Sequence, residues 1–127
     1  DLKNRVALIN SHPDAVLISI HQNSLPTAPS VRGAQAFYNP VDGADTLAHA
    51  IQDALNIAIN PQRAKTEKQI PSTIYLMQKA QIPAVLVECG FLSNEEETHL
   101  LQTEAHQLRL AFAILCGYYA PKEEVPQ

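Results

Sequence analysis

Residues 83–94 read PAVLVECGFLSN, and they contain the clearest strand pattern of the chain. Its four apolar residues, 84–87, stand between a proline and a carboxylate, a pattern typical of a short strand buried on both faces. We therefore predict a strand over 84–88. An ionised carboxylate avoids a dry interior unless it is paired, ligated or used in chemistry. The sequence therefore predicts that Glu88 lies at the end of a sheet and faces a cleft.

The composition is that of one ordinary globular domain. The chain has 127 residues, of which 46% are hydrophobic and 17% charged, enough for a single core. The net charge is −4, and basic residues are not clustered among aromatic ones, so nucleic acid is excluded as a partner. No apolar run is long enough to span a bilayer. Cys89 and Cys116 have apolar neighbours and are predicted to be buried free thiols.

The rest of the chain alternates between strand and helix patterns. We predict helices over 2–9, 47–58 and, as a short turn, 72–80, and further strands over 15–20 and 33–38. The proline-rich segment 25–32 and the polar segment 62–71 are predicted loops. Such alternation indicates a single-domain α/β fold with a mostly parallel central sheet flanked by helices.

Two helices are predicted after strand 84–88. Ser93 and Glu96 have the spacing of a capping box, and Thr103 is placed to cap the last helix. Residues 122–127 form a polar tail that we expect to fray. The last helix is predicted to bury one apolar face, made of Leu108, Ala111, Phe112, Leu115 and Tyr119.

Two polar residues follow the predicted central strands, and strand direction brings them together. His21 follows strand 15–20 and Glu88 closes strand 84–88. Sites in parallel α/β sheets form beyond the carboxyl ends of the strands. We therefore expect both side chains at one edge of the sheet.

A histidine beside a glutamate leaves three interpretations open. The pair is purely structural, or it performs acid–base catalysis, or it belongs to a metal site in which a carboxylate activates water. A cysteine nucleophile is disfavoured, because Cys89 should point to the face opposite Glu88. The remaining histidines are predicted to be solvated, or in one case to interact with a helix end: His12, His49, His99 and His106.

Three segments carry a family resemblance: ISIHQNS at 18–24, GAQAFY at 33–38 and PAVLVECGFLSN at 83–94. In order and spacing they resemble the zinc-dependent N-acetylmuramoyl-L-alanine amidases of bacterial cell walls, the amidase_3 type. The resemblance extends over essentially the whole chain. It is closest to the CwlD-like sporulation and germination branch.

The resemblance implies a peptidoglycan hydrolase that cleaves the amide between N-acetylmuramic acid and the L-alanine of the stem peptide. His21 matches the second histidine ligand of the family's Zn²⁺, and Glu88 matches its catalytic glutamate. Arg63 lies in the loop where the family often has a basic residue near the substrate groove. Arg63 and Asn23 are the expected substrate-binding residues; the alternatives are a solvated loop arginine and an asparagine that shapes the turn after its strand. The expected location is extracytoplasmic, in the cell wall or the forespore envelope, with an activating partner protein.

One departure from the family bears on function. The family's first histidine ligand and its glutamate ligand precede the region that matches this chain, so neither has a counterpart here. We therefore expect 1–127 to be the C-terminal portion of an amidase_3-like catalytic domain, without the family's N-terminal strands. The alternative is a degenerate, non-catalytic domain that binds cell-wall fragments or a partner protein.

Overall fold

The strand Ala84–Phe91, β4, is an interior strand of a four-stranded sheet in the computed structural model, which describes residues 1–122. The expected α/β fold with flanking helices is confirmed. The tail residues 123–127, expected to fray, lie outside the described residues. The elements in chain order are α1 Leu2–Asn10, β1 Leu17–Asn23, β2 Gln35–Tyr38, α2 Ala44–Ala58, β3 Lys68–Gln69, α3 Tyr75–Lys79, β4 Ala84–Phe91, α4 Glu95–Leu101 and α5 Glu104–Tyr119.

The sheet order is β1-β4-β2-β3. β4 pairs in parallel with β1 and antiparallel with β2, while β2 and β3 are parallel. The sheet is therefore mostly parallel, as expected, with one reversed connection. Because β2 runs against β4, it begins at the end of the sheet where β1 and β4 finish.

Alternate residues of β4 belong to two hydrophobic clusters, one on each face. Val85, Val87 and Cys89 pack with buried residues of α2 and α5. Ala84 and Leu86 pack on the other face with Met77 of α3 and the half-buried Ile9 of α1. This alternation is the reason that the run 84–87 is apolar throughout.

Several predicted boundaries are wrong, and each error bears on the site. β4 continues to Phe91, so Glu88 lies inside the strand rather than at its end. β1 begins and ends later than predicted and includes His21. A two-residue strand, β3, occupies part of the predicted loop 62–71.

Of the two predicted caps for the last two helices, one is wrong and one is confirmed. α4 is capped by Asn94, whose side chain accepts the Glu97 N–H, and not by Ser93. Ser93 Oγ instead accepts the N–H of Leu25 at 2.8 Å. Thr103 caps α5, as predicted.

The predicted buried face of α5 is wrong. All five predicted residues are exposed, and Tyr119 is the clearest case with 75% of its surface accessible. The helix instead buries the face that carries Ala113 and Gly117, where its backbone approaches α2 closely. A Cβ at Gly117 would lie 2.5 Å from Ile51 Cα. The buried residues are His106, Leu110, Ala113, Ile114 and Gly117.

Candidate functional site

A row of three polar side chains crosses the sheet on one face. His21 of β1 is the register partner of Glu88 on β4, and Gln35 of β2 is the partner of Glu88 on its other side. Register partners on neighbouring strands present their side chains to the same face. The expectation that His21 and Glu88 lie together is confirmed. Gln35, which the sequence analysis did not single out, completes the row, and its Nε2 donates to the Thr66 carbonyl at 2.7 Å.

The Glu88 carboxyl group is desolvated on one side. Its Oε2 is buried and has no hydrogen-bond partner within residues 1–122. Burial raises the pKa of Glu88, and the charge of His21 opposes that rise. His21 Nε2 lies 2.9 Å from Ser19 Oγ, one step down the same face of β1. A buried, unpaired carboxylate oxygen beside an imidazole is chemically suited to accept a proton or to face a cation.

Cys89 belongs to the opposite face, as predicted. Its side chain lies in the α2–α5 core, where burial, followed by the charges of Glu88 and Glu97, raises its thiol pKa to about 11. A thiol with that pKa stays protonated near neutral pH and is a poor nucleophile. Cys116 is exposed, so its predicted burial is wrong.

The strand is irregular immediately after Glu88. His21 pairs with Glu88 and Asn23 with Phe91, so β4 uses three residue steps where β1 uses two. This extra residue constitutes a β-bulge, a feature that bends a strand and redirects nearby side chains. Glu97 of α4 accepts the Phe91 N–H at 2.7 Å at the end of this bulge. Glu97 was not among the predicted site residues, although the spacing Asn94-x-x-Glu97 was a signal in the sequence.

Arg63 and Asn23 occupy different surroundings from the polar row. Arg63 is exposed in the loop after α2, at the end of the sheet where Gln35 begins β2. Asn23 ends β1, and its Oδ1 accepts the Ser24 N–H at 2.8 Å, so this side chain shapes the turn out of the strand. Their substrate contacts stay predictions.

The histidines outside the row differ in environment. His12 and His99 are exposed. His49 is half-buried, with its two ring nitrogens 3.1 Å from Glu67 Oε2 and 3.5 Å from Asp53 Oδ2. The expectation that His106 is solvated is wrong, because it lies on the buried face of α5.

The described residues supply only part of a ligand set for a metal ion. No group of three or more His, Cys, Asp or Glu side chains suited to one metal ion occurs within residues 1–122. His21 and Glu88 provide one imidazole and one carboxylate on a common face, and Glu88 Oε2 is buried without a hydrogen-bond partner among the described residues. These residues fit part of a zinc site.

Two cavities of about 370 and 530 Å³ open elsewhere on the surface. Tyr38 and Asp42 help to line the first, Val16 and Pro83 the second. Both lie toward the end of the sheet where β4 begins, whereas Glu88 lies near the end where it finishes. The polar row therefore lines neither of these two cavities.

Residues 1–118 match the family model described as N-acetylmuramoyl-L-alanine amidase. The germination-specific N-acetylmuramoyl-L-alanine amidase of Bacillus subtilis is 37% identical over 131 residues, which cover 100% of this chain and 54% of that protein. The chain thus spans about half the length of the curated relatives it matches.

Solved structures give the same likeness. The CwlD amidase from Clostridioides difficile, solved in complex with the GerS lipoprotein, superposes with a TM-score of 0.83 at 37% identity. That superposition covers 91% of this chain and 58% of the other. The amidase AmiC2 of Nostoc punctiforme superposes with a TM-score of 0.80 at 25% identity, covering 93% and 63%. None of the helices formed by residues 1–122 has the length and apolar character needed to cross a membrane.

Proposed function

The chain belongs to the N-acetylmuramoyl-L-alanine amidase family, and from this premise we propose that it forms the C-terminal portion of a catalytic domain that hydrolyses peptidoglycan. The bond cleaved is the amide between N-acetylmuramic acid and the L-alanine of the stem peptide. The observation that carries this proposal is the register pair His21–Glu88, with the buried Oε2 of Glu88 left without a partner among the described residues.

Glu88 is the general base and acid of the proposed reaction. Its carboxylate takes a proton from the attacking water and returns one to the departing amine nitrogen of L-alanine. Burial raises the pKa of Glu88, which makes its carboxylate a stronger base than an exposed glutamate. The partial exposure of the side chain leaves a route for water and substrate.

His21 is the proposed metal ligand, and Zn²⁺ is the proposed cofactor. When bound, Zn²⁺ polarises a carbonyl and lowers the pKa of a coordinated water to roughly 7. The described residues supply only part of a ligand set, so we propose that the remaining ligands come from outside residues 1–127. Arg63, exposed at the same end of the sheet, is the proposed contact for a stem-peptide carboxylate, and Asn23 is proposed to contact substrate through its amide.

The biological setting follows the relatives. Their names indicate cell-wall and germination amidases, and we propose an extracytoplasmic site of action, in the cell wall or forespore envelope. The Clostridioides difficile amidase was solved with a lipoprotein. A protein partner that binds or activates the complete enzyme is proposed here by analogy.

The test is amide cleavage on purified peptidoglycan by the full gene product that carries this chain. General acid–base catalysis typically contributes about 10²–10⁴-fold, so E88Q should lower kcat by at least about 100-fold. E104Q, which neutralises an exposed carboxylate in the first turn of α5, is the matched control and should keep the wild-type rate. An E88Q rate within tenfold of wild type removes Glu88 as the base. A wild-type rate that a chelator does not lower would exclude Zn²⁺ as the cofactor.

A second candidate is a non-catalytic domain that binds cell-wall fragments or a partner protein. The observation that favours it is the lack of a three-ligand metal cluster within residues 1–122. It predicts that the wild-type protein sediments with insoluble peptidoglycan without cleaving it, even with added Zn²⁺. Cleavage that E88Q abolishes would exclude this candidate.

A further inference from the structure

Glu97 is a buried carboxylate outside the polar row of His21, Glu88 and Gln35. It lies in the first turn of α4, and only 1% of its surface is accessible. Its Oε1 accepts the N–H groups of Gly33 at 2.9 Å and Phe91 at 2.7 Å, and its Oε2 also accepts the Gly33 N–H at 3.0 Å. Arg32 Nε lies 3.9 Å from Oε2. These backbone N–H donors satisfy the hydrogen-bonding capacity of a carboxyl group that is buried away from water.

The two amide donors lie on neighbouring chain segments, both just beyond Glu88 at the same end of the sheet. Phe91 follows Glu88 by three residues, across the β-bulge, and Gly33 precedes Gln35 by two residues. Gln35 is the register partner of Glu88 on β2 and the first residue of that strand. The Glu97 carboxylate therefore bonds both strands just beyond the point where the β2–β4 ladder ends, and it replaces the ladder bonds that are missing there.

Gly90 makes room for this carboxylate, and Gly33 makes room for the nearby Lys65 side chain. A Cβ at Gly90 would lie 2.7 Å from Glu97 Cδ, so any side chain there would displace the group. Gly33 has a φ of +111°, in the region that favours glycine, and a Cβ on it would lie 2.6 Å from Lys65 Cε. The ammonium group of Lys65 lies 5.2 Å from the centre of the Phe91 ring. Phe91 is also one of the two residues whose N–H groups Glu97 accepts.

Helix capping does not explain the orientation of Glu97. In a capping box, the acidic residue at this position reaches back to the N-cap backbone N–H. Here Asn94 caps the helix through its own side chain, and the Glu97 side chain extends to β2 and β4 instead. We propose that Glu97 is a positioning residue, whose carboxylate fixes the bulge behind Glu88 and so sets the direction of the Glu88 side chain on the sheet face.

This proposal rests on the proposed amidase function, and its first test uses kcat. E97Q keeps Oε1, the one atom that accepts both N–H groups, and should keep kcat within about threefold. E97D keeps the charge but is shorter by one methylene and cannot reach both strands. Because misplacement of a catalytic group by about 1 Å can cost 100-fold, E97D should lower kcat by about 10–100-fold with KM little changed.

Glu96 supplies the matched controls. It is the neighbouring acid of α4, its side chain is 77% exposed, and it pairs with Arg32 at 3.0 Å. E96Q and E96D should both keep the wild-type kcat. If E97D does not fold, G90A replaces it, since its Cβ displaces the carboxylate without changing the charge, and the same fall in kcat is expected. Equal losses in E97Q and E97D, or wild-type kcat in E97D, would overturn the proposal.

A second readout does not depend on activity. In backbone amide NMR spectra of the full gene product that carries this chain, E97D should shift the amide signals of Phe91, Glu88 and His21, and E96D should not. Shifts confined to α4 and Gly33 would refute the positioning role. If the wild-type protein cleaves no peptidoglycan, the proposed function fails by itself, and these spectra still decide the role of Glu97.

Discussion

Replacing Gln52 should show how β2 is held in place without a complete neighbouring strand. Gln52 lies on α2, 1% exposed, and its Oε1 accepts the Ala36 N–H at 2.8 Å. Its Nε2 donates to Ala34 O at 3.2 Å and to Asn56 Oδ1 at 3.0 Å. Methionine has a similar length and can form none of these bonds.

The magnitude follows from which groups keep another partner. Ala34 O also accepts from Asn60 Nδ2 at 2.8 Å, and Asn56 Oδ1 accepts from Asn60 Nδ2 at 3.0 Å. Only the Ala36 N–H loses its partner. One buried unsatisfied donor costs about 1–3 kcal/mol, so Q52M should lower the free energy of unfolding by that amount. At roughly 4 °C per kcal/mol for a domain of this size, Tm should fall by about 4–12 °C.

The assay is equilibrium urea denaturation, with Q107M as the matched control. Gln107 is an exposed glutamine of α5, and its Nε2 also donates to one backbone carbonyl, that of Leu101, at 2.9 Å. Water replaces such an exposed bond, so Q107M should stay within about 0.5 kcal/mol of wild type. Equal values for Q52M and Q107M would refute the reasoning. A loss above about 5 kcal/mol would show that several groups, not one, lose their partners.

Three further predictions concern packing, protonation and thiol chemistry. G117A places a Cβ 2.5 Å from Ile51 Cα, so it should separate α5 from α2 and cost about 1–3 kcal/mol of unfolding free energy in the same urea assay. Burial lowers the pKa of His106; the unfolded state therefore binds a proton first, and stability should fall as pH drops below about 6.5, an effect that H106Q should reduce in urea titrations across pH. Ellman's reagent at pH 8 should label Cys116 quickly and Cys89 only after unfolding, because Cys89 is buried with a thiol pKa of about 11; rapid labelling of both thiols would contradict this.

The sequence pattern predicts the parts of the fold that depend on local periodicity. The apolar run 84–87 predicted the central strand correctly. Strand direction alone predicted that His21 lies beside Glu88, and the register pair confirms it. The end of β4 was not predictable in the same way. Gly90 resembles a turn signal, but the strand continues past it because Glu97 and the carbonyl of Asn23 accept the next two backbone N–H groups, those of Phe91 and Leu92.

The error at α5 has a different cause. Large apolar residues at helical spacing predicted a buried face, yet the contact with α2 is made where Ala113 and Gly117 allow the backbones to approach. Helix packing selects the face that fits its neighbour, and side-chain size alone does not identify that face. His106 is buried as a consequence of the same rotation of the helix.

Burial acts on two adjacent residues of β4 with opposite chemical consequences. It is the largest cause of the raised pKa of both the Glu88 carboxyl and the Cys89 thiol. For a carboxylate, a higher pKa means a stronger base. For a thiol, it means a smaller fraction of the reactive thiolate. Strand alternation sends Glu88 to the polar row and Cys89 to the core, so the environment of each face and the alternation of the strand both favour water activation by Glu88 over covalent catalysis by Cys89.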